Sequence, residues 1–207
     1  MQDLIDSINR LKSSEISEVI KSRINEFSDI RDLDGDTIFK ELCFCIMTAN
    51  CAAEKCIEIH EKIGEKFNFL SQTDLTKMFK KYGYRFPNIR SQYIIQARDF
   101  KIDLEEKIKL DSNDKLREWL IKNIKGLGYK EASHFLRNIG FNDYAIVDFH
   151  IVDLLVEYNL IEKPKSMSKQ KYIEIEIILK NIANKLDLSL AELDLYLWFL
   201  ETGKILK

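Results

Sequence analysis

Over 207 residues the chain holds only seven Gly and two Pro, while its apolar residues recur almost throughout at spacings of three and four. A fold built on many tight turns needs Gly and Pro at each of them, so an all-β architecture is excluded, as is a collagen-like or disordered chain. Spacings of three and four place apolar side chains on one face of a helix. The pattern therefore predicts an all-α protein. Hydrophobic residues at 45% and charged residues at 32% give it enough apolar mass for one good core or two small ones.

Leu4, Ile8 and Leu11, then Ile16, Ile20, Ile24 and Phe27, predict two amphipathic helices, followed by an Asp-rich loop over 29–36. One long apolar helix is expected across 39–63, and a short one over 73–81 before a loop at 83–88. Further helices are expected over 89–100, 116–124, 129–139, 149–158, 169–186 and 190–200. Ser189 with Glu192 three residues on forms a capping box at the start of the last. No internal repeat, low-complexity tract or interdomain linker interrupts the series.

Two metal patterns fail on spacing. Cys43, Cys45, Cys51 and Cys56 lie within the expected helix 39–63, where residues two apart diverge by roughly 200°. They are expected to be small buried hydrophobes rather than zinc ligands. Asp32, Asp34 and Asp36 start like a calcium loop, but Thr37 and Cys43 occupy the positions that need Gly and a bidentate Glu. No metal or cofactor is expected. No apolar run nears the ~20 residues of a membrane span, and the first residues lack a signal-peptide layout. The expectation is a cytoplasmic protein with reduced cysteines.

The most informative stretch is Asn123-Ile-Lys-Gly-Leu-Gly-Tyr-Lys-Glu-Ala132, where two glycines sit between two helical patterns. Gly126 can take backbone angles closed to other residues, and Gly128 permits close approach. The amides opening the second helix carry partial positive charge and suit a phosphate. An ordinary αα-turn would read the same way. On the second helix Ala132, Phe135, Leu136 and Ile139 form the buried stripe, which leaves Lys130, His134 and Arg137 on the opposite, basic face.

The net charge of −2 does not settle whether the partner is DNA, because it is unevenly spread. Residues 122–140 sum to +3 and residues 77–101 to +6, leaving −11 for the remainder. One basic face on an otherwise acidic molecule is the distribution a phosphate backbone would meet.

Lys130 falls in the first helical turn, where the dipole disfavours a cation by ~0.3–1 kcal/mol. A lysine that must present a neutral amine as a nucleophile gains from that position. Eighteen residues on, the β-prone run Ala145-Ile-Val ends in Asp148, directly before an amphipathic helix. Asp148 can be a plain N-cap, a rigid catalytic carboxylate, or both.

Gly126-x-Gly128-x-Lys130-x-Ala132 followed by Val147-Asp148-x-His150 resembles the lyase-competent branch of the helix-hairpin-helix DNA glycosylase superfamily. With KGLGYKEASHFLRNIG (125–140), FKELCFCIMTAN (39–50) and ELDLYLW (192–198), the chain is similar over essentially its whole length to archaeal-type 8-oxoguanine DNA glycosylase/AP lyases. The iron–sulfur branch needs four cysteines near its C-terminus, and none stands there.

The resemblance implies two helical subdomains, 30–140 ending in the hairpin and 1–29 plus 141–207, with the active site in the cleft between them. It implies that a damaged guanine is flipped out of duplex DNA. Lys130 then attacks C1′, Asp148 stabilises the positive charge developing on the sugar, and a Schiff base leads to β-elimination. Phe86 and Trp198 would sandwich the base, although Trp198 could equally pack in a core with its apolar neighbours. Asp194, one turn earlier, would accept from the base edge, and Lys207 in the short segment after the last helix would reach the pocket. Asn50 would fill the gap left by flipping. Arg85, Lys125, Gly126, Gly128, His134, Arg137 and His150 would face the DNA backbone, the two histidines otherwise being structural.

One departure stands out: relatives commonly carry Arg after the catalytic Asp, where this chain has Phe149. A monomer acting on double-stranded DNA containing oxidised guanine, associated with the nucleoid, is the implied biology. A helix-hairpin-helix binding module without catalysis, or a glycosylase for another damaged base, remains open at this point.

Overall fold

A computed structural model describes residues 1–110 and 113–207, and among them there is no strand. Twelve α-helices follow in order: α1 Gln2–Lys12, α2 Ile16–Arg31, α3 Gly35–Thr48, α4 Ala53–Ile63, α5 Gln72–Lys81, α6 Pro87–Ala97, α7 Lys101–Leu110, α8 Asn113–Asn123, α9 Tyr129–Asn138, α10 Phe149–Glu157, α11 Lys169–Leu186 and α12 Leu190–Thr202. No helix among the described residues is long and apolar enough to cross a membrane. The N-caps Asp34, Ser71, Asp148, Ser168 and Ser189 each accept a backbone N–H from the first turn of their helix, satisfying donors that the helix leaves open.

Three elements differ from the sequence expectation. The Asp-rich loop shrinks to 32–34, because α2 runs on to Arg31 and Asp34 caps α3. The long cysteine-bearing helix is two helices, broken at 49–52, where Asn50 takes a left-handed φ of +59°. No Gly or Pro marks that break. It is held from a distance instead: Arg90 donates to the Ala49 carbonyl at 3.1 Å and Arg85 to the Asn50 carbonyl at 3.3 Å. Finally, α7 occupies a stretch to which the apolar periodicity assigned no helix.

Two apolar cores form. The first gathers α3 to α9, with Phe39, Leu42, Phe44 and Ile46 from α3 packing on Ala132, Phe135 and Leu136 from α9. The second gathers α1, α2 and α10 to α12 around Ile8, Ile20, Leu155, Tyr172, Ile182 and Leu197. The stretch 145–147 passes from Tyr144 of the first core into the second as buried backbone outside any helix or strand.

Such backbone needs partners for its N–H and C=O groups. Tyr172 supplies two, its hydroxyl donating to the Ala145 carbonyl (2.7 Å) and accepting from the Val147 N–H (3.2 Å). Glu176 accepts the Ala145 N–H at 3.1 Å. Glu176 is itself held by a two-pronged contact from buried Arg117, at 2.6 and 2.9 Å.

His60 shows how the first core treats a polar ring. It lies between Phe44 and Phe67, and its Nε2 donates to the Lys40 carbonyl at 3.0 Å. Burial, followed by the charge of Lys207, pushes its imidazole down from the usual 6.5 to about 3. The folded value lies below the unfolded one, so the native state binds fewer protons. The stability this ring contributes is complete above pH 6.5 and is lost as pH falls toward 3.

At pH 4.5 the loss amounts to roughly 2–3 kcal/mol. His60→Gln, which keeps a donor for Lys40 but does not titrate, should narrow its stability deficit against the parent as pH drops from 6.5 to 4.5. Parallel urea-denaturation curves across that range would contradict this. For the crossing segment, Glu176→Ala should cost about 3–5 kcal/mol by leaving Arg117 buried and uncompensated. A shift in the urea midpoint worth under ~1 kcal/mol would show that water replaces the pair.

Candidate active site

The two cores meet along a cleft of about 720 Å³, a size typical of small-ligand sites. Lys130 from the start of α9, Asp148 from the start of α10 and Trp198 from α12 all line it, together with Asn50, Arg85, His134, Arg137, His150, Asp194 and Lys207. Residues scattered over more than 150 positions of sequence therefore converge on one cavity. Phe86, Lys125, Gly126 and Gly128 do not line it.

The hairpin is the turn between α8 and α9. Gly126 has φ +92°, and a Cβ there would come within 2.7 Å of the Tyr93 ring and 3.2 Å of Arg90. Both backbone angle and space require glycine at this position. Gly128 is different: its backbone is extended, and the close neighbour is the Glu131 carboxylate, 3.2 Å from where a Cβ would sit. Glu131 Oε2 accepts the Gly128 N–H at 3.1 Å. One of the amides expected to await a phosphate is therefore already committed within the chain.

Lys130 lies one step into α9, its side chain 27% exposed, with Nζ 3.4 Å from Glu131 Oε1. Asp148 caps α10, its Oδ1 accepting from the Ile151 N–H at 3.0 Å. Burial pushes its carboxyl above the ordinary carboxylate value, while the Ile151 N–H and the charge of Lys130 pull it down. The capping and cleft-facing readings of Asp148 are thus compatible in one side chain.

The basic face expected on α9 is not solvated. His134 and Arg137 are buried: Phe44 of the first core and the segment after α12 cover His134, while Phe27 and Asp194 cover Arg137. The His134 ring packs edge-on to Phe44 and its Nε2 meets the Lys207 carbonyl oxygen at 3.3 Å. Burial, and next the charges of Arg137 and Lys130, hold it well below the usual histidine value. Arg137 pairs with Asp194 at 3.2 Å and lies over the Phe27 ring. Burial raises Asp194 to about 6, against the opposing pull of Arg137. His134 and Arg137 are buried at the cleft floor rather than on an exposed face, and Asp194 already has a partner.

The aromatic pair is split. Trp198 lies in the cleft wall edge-on to His150, which in turn packs against exposed Phe149. The Trp198 Nε1 is buried with no hydrogen-bond partner among the described residues. Phe86 instead packs against the first core with the guanidinium groups of Arg85 and Arg90 at 5.0 and 5.7 Å from its ring.

Sequence reasoning missed Glu41, which receives Lys207 Nζ and the Asn138 amide inside the first core. A lone acid in the apolar run 38–47 was the available signal. It also missed Glu131, Glu54 and Lys204 on the cleft wall. The Gly128-x-x-Glu131 spacing of a capping box was the sign for the first of these.

The cysteines are free thiols. Cys43, Cys45 and Cys56 are buried, with burial pushing Cys43 and Cys45 up, whereas Cys51 is half-buried on the cleft wall, contrary to the expectation for all four. Among the described residues no group of His, Cys, Asp or Glu could hold a metal ion.

A family model described as 8-oxoguanine DNA glycosylase matches residues 20–188. The chain is 46% identical to an 8-oxoguanine DNA glycosylase/AP lyase of Korarchaeum cryptofilum, over 100% of this chain and 99% of that protein. It is 48% identical to the like-named protein of Methanocaldococcus jannaschii, over 99% of both. The crystal structure of the M. jannaschii 8-oxoguanine glycosylase/lyase in complex with a 15mer DNA containing 8-oxoguanine superposes with a TM-score of 0.96, covering 99% of each chain. That of the 8-oxoguanine DNA glycosylase of Thermotoga maritima, 36% identical, superposes at 0.93 over 100% of this chain and 99% of that one. With its helices, hairpin and cleft in the same arrangement, this chain belongs to the 8-oxoguanine DNA glycosylase family.

Proposed function

We propose that this protein is a bifunctional DNA glycosylase/AP lyase that excises 8-oxoguanine from duplex DNA and then nicks the strand. The observation that carries the reading is the meeting of Lys130 and Asp148 in one cleft large enough for a base, within a chain of this family. The two cores support a division into subdomains 30–140 and 1–29 plus 141–207, with that cleft between them. The assigned cleft groups form a complete constellation without a second copy, and the protein is proposed to act as a monomer. A duplex-DNA substrate would place it at the nucleoid.

In this reading the base is flipped into the cleft, at an unstacking cost of a few kcal/mol. Trp198 offers a stacking surface for it. Phe86 is assigned the opposite face, which requires its ring to leave the two arginines and swing toward the cleft. Asp194 and Lys207 lie where the base edge would come, and Asn50 stands at the rim to fill the vacated stack. Arg85, Lys125, His150 and the hairpin glycines Gly126 and Gly128 are assigned to the phosphates. Phe149 puts an apolar ring, 68% exposed, beside Asp148 where a cation would add a phosphate contact.

Lys130 Nζ attacks C1′ as the glycosidic bond breaks. Asp148, held by its own helix cap, faces the positive charge developing on the sugar without having to reorient. The Schiff base formed on opening of the sugar acidifies C2′–H, and β-elimination of the 3′ phosphate follows.

Borohydride reduction on a duplex containing 8-oxoguanine tests the assignment. A covalent adduct should form with the intact protein and vanish in Lys130→Gln. A protein that binds the duplex yet gives no adduct would instead be a binding module. Asp148→Asn should reduce single-turnover cleavage by at least ~10²-fold with duplex affinity within a few-fold of the parent. Unchanged cleavage would remove Asp148 from the mechanism.

A further inference from the structure

The two oxygens of Glu131 have different partners. Oε2 takes the Gly128 N–H at 3.1 Å, and Oε1 lies 3.4 Å from Lys130 Nζ. Neighbouring residues on a helix point roughly 100° apart, so this contact needs an explanation. Glu131 is folded back over the first turn by its bond to the Gly128 amide, and the missing Cβ at 128 leaves room for it. The fold-back brings its second oxygen to the lysine. Both side chains are mostly buried, at 27% and 14% exposed, so docked DNA would leave them little water.

We infer that Glu131 is the group that positions the Lys130 amine and accepts its proton during attack. The inference rests on the lyase reading given above. Attack needs the neutral amine, and a proton leaving Nζ needs a nearby acceptor. The other ionisable groups whose charge acts on, or is acted on by, Lys130 are Asp148, Asp194, His134, Cys45 and Cys56, and Arg137 lines the same floor.

None of them competes well. Asp148 is engaged with the Ile151 N–H and faces the sugar, and Asp194 is bound to Arg137. His134 is sealed beneath the Lys207 carbonyl, Arg137 is a cation, and the two thiols are buried. Glu131 is the carboxylate in direct contact with Nζ among the described residues.

The step balances as follows. One proton passes from the Lys130 ammonium to the Glu131 carboxylate, converting an ion pair into a neutral pair. The freed Nζ lone pair forms the bond to C1′, and the electron pair of the glycosidic bond leaves with the base. The departing base takes up the proton held by Glu131, directly or through water. The nitrogen keeps its two remaining protons and the positive charge, and Glu131 is a carboxylate again.

Glu131→Gln isolates the charge from the cap, since the amide oxygen can still accept the Gly128 N–H. Single-turnover cleavage of an 8-oxoguanine duplex, duplex affinity and the urea midpoint would be measured from pH 6 to 9. The expected result is affinity and midpoint close to the parent, and cleavage at pH 7 slower by ~10-fold or more. The Gln variant's rate should climb with pH more steeply than the parent's, because hydroxide must now take the proton. Glu131→Asp, which restores a carboxylate one methylene shorter, should recover part of the rate and the parent's pH profile.

A Gln variant with the parent's rate and profile overturns the inference, as does an Asp variant that behaves like Gln. Should Gln unfold the protein, the Asp variant alone decides by its pH profile. A parent protein that forms no borohydride adduct fails the lyase reading itself, and the inference falls with it. An adduct-forming parent with an indifferent Glu131 fails the inference alone.

Discussion

The cleft exists because two cores are held in one registration, and the buried pair of Arg137 with Asp194 ties one to the other. Arg137 extends from α9, whose apolar stripe belongs to the first core, and meets α12 and the Phe27 ring of α2 in the second. A charge so buried costs several kcal/mol unless it is matched. Any sliding of one core past the other would strand both groups. Such a pair adds little net stability over an apolar one, but it penalises wrong arrangements. Burial raises Asp194 to about 6 despite the pull of the guanidinium.

Local charge sums overstate what DNA can meet. The +6 of residues 77–101 suggested a phosphate-facing surface. Much of it is spent within the chain. Arg98 holds the Phe67 carbonyl with two nitrogens, Arg90 and Arg85 cap the end of α3, and Lys101 pairs with Asp36. Three carbonyls near the end of α3, at 47, 49 and 50, are met by Tyr84, Arg90 and Arg85. The basic loop is therefore first a C-cap for α3 and for the strained Asn50, and only its remainder is available to phosphates.

What the sequence made readable follows the range of the physics. Lys130 and Asp148, which both line the cleft, stood out because helix starts leave local marks: the glycine turn before one, the β-prone run and cap at the other. The twelve helices were largely readable for the same reason. The break at 49–52 was not, because Arg85 and Arg90, 35 and 41 residues away, stabilise it. His134 and Arg137 were assigned to a basic, DNA-facing side because periodicity identifies only one apolar stripe per helix. It cannot tell that Phe44, Phe27 and the segment after α12 cover the other side. Phe86 was placed by resemblance, and its cation-flanked position reflects contacts that no spacing encodes.

The segment after α12 crosses the cleft with two lysines whose contacts differ in kind. Lys204 meets Glu54 at 2.8 Å with both side chains more than half exposed. A pair so wet is worth ~0–1 kcal/mol and opens readily. Lys207 meets Glu41, whose side chain is only 5% exposed and whose other oxygen takes the Asn138 amide. Removing Lys207 would leave a carboxylate buried in the first core, so this end of the segment is the more firmly anchored. The Lys204 bridge can be broken at small cost, whereas Lys207 is held further by His134 and lies over the Phe44 ring. The contact at the mouth of the cleft is therefore the weaker of the two and the one at its floor the stronger.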